Sequence, residues 1–196
     1  MQLNAVERRL VELQQHWQVF RADDTKRMLI WQTPDNAKRL MECFFEAQRH
    51  AASEERPYIG CDTFIVFDTP FEDSISYSRT LKETLAGQYE ASHASIEQAG
   101  ETADWHFSPK ALPDSARSFV EALNDLAKHH PAALGLLVAV MLPSAVNGEA
   151  AWYAWLQRAL QAEPAPGVRL VVLDAVETPR CNGLAESAHS QLQTEN

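Results

Sequence analysis

Apolar residues spaced by threes and fours open the chain. Leu3, Val6, Leu10, Leu13, Trp17 and Phe20 fall on one stripe of a helix, and Glu7, Arg8, Arg9, Glu12, Gln14 and Gln15 fill the rest of its surface. The spacing predicts an amphipathic helix over 3–20. The same spacing suits a short coiled-coil seam, so the stripe around Leu10 and Trp17 is also a candidate docking face for another protein or a second copy.

Beyond this helix the pattern alternates. Met28 to Trp31 is a short apolar strand, and Pro34-Asp-Asn begins a helix with Leu40, Met41, Phe44 and Phe45 on its inner face. Thr63 to Phe67 is β-branched and aromatic and predicts a second strand. Tyr77, Leu81, Leu85 and Tyr89 then recur at helical intervals. Ala91 to Pro113 is poor in aliphatic residues and predicts the least regular part of the domain, with Trp105 and Phe107 available to pin it. Asp114-Ser115 caps a helix carrying Phe119, Val120, Leu123 and Leu126, which ends at His129-His130-Pro131.

Leu134 to Leu142 is apolar on both would-be faces, as a strand covered by helices on both sides must be. A helix over Asn147 to Ala162 and a turn at Pro164 to Gly167 lead to a last apolar strand, Val168 to Leu173, interrupted only by Arg169. Short apolar strands separated by amphipathic helices predict an α/β fold: a mainly parallel sheet of at least four strands with helices on both faces. The chain reads as one α/β domain over 1–185. The Ser-, Gln- and Glu-rich stretch 186–196 reads as a frayed polar tail.

Composition narrows the function. With 196 residues and 45% hydrophobic content, the chain can bury a core without a disulfide or a metal. A net charge of −10 argues against nucleic acid and against an anionic membrane surface as partners. The longest apolar run, Ala132 to Val146, is broken by Gly135 and Pro143 and is shorter than the roughly 20 residues a bilayer-spanning helix needs. Charges arrive by residue 7 with no apolar stretch behind them, unlike a secretory signal. Cys43, Cys61 and Cys181 lie far apart, with neither metal-ligand nor disulfide-framework spacing. A cytoplasmic protein with reduced thiols is the expectation.

In parallel α/β sheets ligands bind beyond the carboxyl ends of the strands, so the residues that follow each strand carry the candidate chemistry. Gln32 to Arg39, inside LIWQTPDNAKRLMECFF, lies where the G-x-x-x-x-G-K-[ST] loop of P-loop NTPases lies between strand and helix. The segment resembles a degenerate loop of the AAA and STAND kind. Lys38 matches the phosphate-binding Lys, Gln32 and Ala37 occupy the glycine positions, and Arg39 replaces the magnesium-binding hydroxyl. FIVFD and LVVLD are similar to the second nucleotide motif of that family, whose acidic residue holds magnesium. The resemblance implies a nucleotide-binding loop at Thr33, Asn36, Lys38 and Arg39, for ATP or GTP with Mg²⁺ at Asp68 and Asp174. If such a chain is an enzyme, it is an NTPase or phosphohydrolase.

The competing reading of the two Asp residues is that each caps the turn after its strand. No His pair has zinc spacing and no G-x-S-x-G elbow occurs. Trp152, Trp155 and Arg158 share one helix, whose aromatic residues read first as core or lid packing and, as the alternative, as a second candidate protein-binding face. The leading expectation is a non-catalytic protein-binding module without a cofactor, an adaptor, chaperone or regulatory domain on a P-loop-like scaffold. The alternative is a nucleotide-binding or phosphoryl-processing domain.

Overall fold

The computed structural model of the chain describes residues 3–50, 53 and 55–195. Helix α1 (Ala5–Arg21) begins at a capping box: the Asn4 side chain accepts from the Glu7 amide, and the Glu7 carboxylate accepts from the Asn4 amide. Strand β1 (Met28–Thr33) is buried throughout and leads through a 3₁₀ turn at Asp35–Ala37 into α2 (Lys38–Ala47). Strand β2 (Thr63–Phe67) is followed by α3 (Ser74–Ala91), α4 (His93–Gln98), α5 (Ala116–His129) and α6 (Pro131–Leu134). Strand β3 (Leu137–Met141), α7 (Glu149–Gln161), β4 (Val168–Ala175), α8 (Asn182–Ala185) and β5 (Ser190–Thr194) complete the order. Asp73 and Ser115 cap α3 and α5 with their side-chain oxygens.

All five strands are parallel and lie in the order β2-β3-β4-β1-β5. The α/β architecture expected from the pattern is therefore present, with one strand more than the four that were legible. The exception is the predicted polar tail: residues 190–194 pair with β1, Met28 opposite Ser190 through Gln32 opposite Thr194. An edge strand buries little and can be polar, because main-chain bonds to its one neighbour hold it. Asn196 lies outside the described residues.

Alternation across the pleat divides the core in two. Leu29 and Trp31 of β1, Phe64 of β2 and Val138 and Val140 of β3 face α1 and α2, where Trp17, Phe20, Phe44 and Phe45 complete an aromatic cluster. Ile30, Phe67, Ala139 and Leu170 face α3, α5 and α7, packing on Tyr77, Leu81, Phe119 and Trp155. Trp105 and Phe107 stack at a centroid distance of 4.8 Å and pin the irregular segment, as the aromatic spacing suggested. The Trp105 indole N–H donates to Asp125 and its main-chain N–H to the Tyr89 hydroxyl. No described helix is long and apolar enough to cross a membrane.

Candidate functional site

The path of the chain places a topological switch point between β1 and β4. After β1 the chain crosses over α2 on the α1 side of the sheet; after β4 it returns through α8, whose Leu184 packs in the opposite layer. Adjacent strands whose connections leave on opposite faces open a crevice at their carboxyl ends. That crevice is a cleft of about 360 Å³, with Thr33, Asp35 and Lys38 from the β1 side, Ser144 after β3, and Asp174 and Arg180 from the β4 side.

Most of its polar groups are already engaged. Asp174 is 6% exposed, and its carboxylate accepts the amides of Arg180 (3.0 and 3.1 Å) and Cys181 (3.1 Å), with the Gln32 amide at 3.5 Å. The Arg180 guanidinium pairs with Glu149 at 3.0 Å. In the loop after β1, the Ala37 amide donates to the Pro34 carbonyl and the Lys38 amide to the Asp35 carbonyl, closing the 3₁₀ turn. The Asp35 amide points to a Glu177 carboxylate oxygen at 3.4 Å. Thr33 is buried, with its hydroxyl on the Pro34 carbonyl. A glycine-rich loop turns such amides outward to phosphate; here three of them are used within the protein.

The structure brings together only part of the residues singled out from sequence. Thr33 and Lys38 share the switch-point cleft, whereas Asn36 is exposed on the 3₁₀ turn and Arg39 lies outside that cleft, paired with Glu42 at 3.0 Å. Asp68 and Asp174 end strands β2 and β4, which β3 separates. Two strand spacings hold their main chains about 10 Å apart, and Asp174 serves as the cap of the 180–181 turn. Among the described residues, no three His, Cys, Asp or Glu side chains gather as a metal-ligand set.

The two aromatic docking faces are corrected. Leu10, Trp17, Trp152 and Trp155 are all buried. The Trp17 indole donates to Asp62 at 2.9 Å and the Trp155 indole to Ser78 at 2.9 Å, while Trp152 and Trp155 stack at 5.8 Å. These side chains serve the two core layers, because helices that cover a sheet must spend their aromatic stripes on it. Arg158 remains exposed.

A larger concavity runs beside β2, where no strand among the described residues covers the outer edge of the sheet. The Thr63 amide donates to the Leu136 carbonyl and the Phe67 carbonyl accepts from the Leu142 amide. These two bonds set the phase of the parallel ladder: Thr63, Ile65 and Phe67 turn their main-chain groups to β3, while Phe64 and Val66 turn theirs to the open edge. Val66 and Asp68 line a groove of about 930 Å³ whose walls are α2, through Cys43 and Ala47, and α3, through Thr84 and Gln88. A second hollow of about 680 Å³ adjoins it at Arg49, His50 and Gln88 and extends along Thr63, Phe64 and Ile65. The groove meets the switch-point cleft at Lys38 and Ser144.

Sequence reasoning missed Arg49, His50, Arg56 and Gln88 as site residues, because they lie on separate helices and loops that only the strand order brings alongside β2. Comparison with protein-family models, with curated proteins and with solved structures found no match to this chain.

Proposed function

We propose that the chain is a non-catalytic protein-binding module of the adaptor, chaperone or regulatory kind. The observation that carries this reading is the uncovered edge of β2: an apolar strand, TFIVF, with outward main-chain donors and acceptors set in a groove between two helices. The switch-point cleft supports it from the other side, since its buried carboxylate is bound by turn amides rather than held ready as a general base.

The test is photo-crosslinking in the native cell from position 56 on the groove rim, followed by calorimetric titration of the purified partner. Saturable binding that Arg56→Glu weakens supports the module reading. Absence of saturable binding by every recovered protein would remove it, and a partner recovered equally from position 158 and bound equally by Arg56→Glu would remove the groove as its binding face.

A second reading, binding of ATP or GTP with Mg²⁺ without hydrolysis, has one observation in its favour: Lys38 and Arg180 line the same cleft at the switch point. It predicts a nucleotide-dependent rise in melting temperature that Lys38→Ala loses, because a ligand bound only to the native state stabilises it by mass action.

A further inference from the structure

We propose that the open edge of β2 takes up an extended acidic segment of a partner protein as a sixth strand of the sheet. This rests on the protein-binding reading above and names its mode and chemistry.

The main chain supplies the attachment. Phe64 and Val66 each turn one N–H and one C=O to the edge, at the two-residue period that an added strand matches. The sheet's two edges differ in kind: β5 is Ser-Gln-Leu-Gln-Thr, whereas β2 is Thr-Phe-Ile-Val-Phe. An apolar edge is the aggregation-prone one, and proteins cover or recess it. Here α2 and α3 rise on either side and recess it.

That recess selects the occupant. A single extended chain fits between two helices, while the sheet edge of a second copy is itself recessed and cannot reach in. Two β2 edges meeting about a two-fold axis would also bring the cationic groove linings of both copies together. Charge selects further. Among the described residues, the groove holds four of the chain's 17 Lys and Arg but only three of its 27 Asp and Glu. It is therefore locally cationic in a chain of net charge −10. Two of the three acids, Glu42 and Glu46, are paired with Arg39 and Arg49. Lys38 and Arg56 have no ion pair among the described residues and line the groove at its two ends. Acidic side chains on an added strand would meet them, and a basic strand would be repelled.

The probe is a fluorescein-labelled octapeptide of alternating Val and Glu, titrated by anisotropy into the full chain, with the alternating Val and Lys peptide as control. Val66→Pro is the decisive variant: its missing N–H faces the edge, so no bond to β3 is lost. The expected result is saturable binding of the Glu peptide, at least about tenfold weaker in Val66→Pro, with circular dichroism unchanged. Arg49→Glu with Arg56→Glu should exchange the preference toward the Lys peptide. If Val66→Pro does not fold, a Glu peptide N-methylated at alternate residues replaces it and should bind about tenfold more weakly in one of its two registers. No binding of the Glu peptide, equal binding of the Lys peptide, or binding indifferent to Val66→Pro and to N-methylation would overturn the proposal. Concentration-dependent dimerisation abolished by Val66→Pro would overturn it in favour of a second copy. A crosslinked partner that binds Val66→Pro as tightly as the parent chain would overturn the edge mode and leave the module reading standing.

Discussion

Asp174 separates a structural carboxylate from a metal ligand, and replacing it distinguishes the two. In Asp174→Ala the amides of Arg180 and Cys181 lose their acceptor; that of Cys181 is buried and that of Arg180 partly so. A buried unsatisfied amide costs about 1–3 kcal/mol, and the partly buried one recovers some of its loss from water, giving about 2–4 kcal/mol in all. For a chain of this size that corresponds to a fall of roughly 4–16 °C in melting temperature. Asp174→Asn keeps one acceptor oxygen and should lose about half as much. The assay is urea unfolding followed by circular dichroism, with and without Mg²⁺, reading the midpoint at constant slope. Losses that do not depend on Mg²⁺ are expected. A change below about 1 kcal/mol in Asp174→Ala, or a Mg²⁺-dependent stabilisation that Asp174→Asn abolishes, would refute the capping role and restore Asp174 as a ligand.

Other outcomes follow from the same physical reasoning. Trp155→Ala should cost about 3–5 kcal/mol, because the ring is buried in the core and its N–H is bonded to Ser78; a stable fold with lost association would return it to a surface role. Lys82 is fully buried, donates to the carbonyls of Pro109, Leu112 and Pro113 and pairs with Asp114 at 3.1 Å. Lys82→Met should destabilise by about 3–5 kcal/mol and speed tryptic nicking at Lys110. Burial and the neighbouring Asp174 push the Cys181 thiol up to about 12, so a thiol reagent should label exposed Cys61 at once and Cys181 only on unfolding.

Acid should weaken the fold. The His129 hydrogen bond holds Asp104 below its ordinary range, and Lys82 and Arg79 do the same for Asp114. Burial would raise Glu101, but His130 and the amides of Ala132 and Ala133 outweigh it and hold it low. Folded values below unfolded ones mean stability present above about pH 4 and lost as pH falls through the depressed values. Glu101→Gln should flatten that loss in a urea series, and an unchanged pH profile would contradict the assignment.

Four strands and the main helices were legible because each apolar run or stripe answers to a local rule of period. Strand β5 was not: Ser190 to Thr194 gains its extended form from bonds to β1, more than 150 residues earlier in the chain, and no local pattern carries that. The aromatic helices left two readings open for a related reason, core packing and an outward docking face, and burial decides for the core. Trp17 and Trp155 look alike as anchors or as core until the sheet they cover is known. The groove was hidden most deeply. TFIVF carries no mark of an edge in its residues, because helices cover both its faces, and only the order β2-β3-β4-β1-β5 makes it one. By contrast, the capping reading of Asp174 was available from its place after a strand, and the amides of Arg180 and Cys181 bear it out.

The most direct test of the edge-strand account is amide hydrogen exchange along β2, residue by residue, in the free chain and with saturating Val-Glu peptide. In the free chain the ladder predicts alternation, with the amides of Ile65 and Phe67 protected by β3 and those of Phe64 and Val66 exchanging faster. With peptide bound, Phe64 and Val66 should slow to the rate of their neighbours while the β5 edge stays unchanged. Phe64 and Val66 protected already in the free chain, or unchanged when the peptide is bound, would contradict the account.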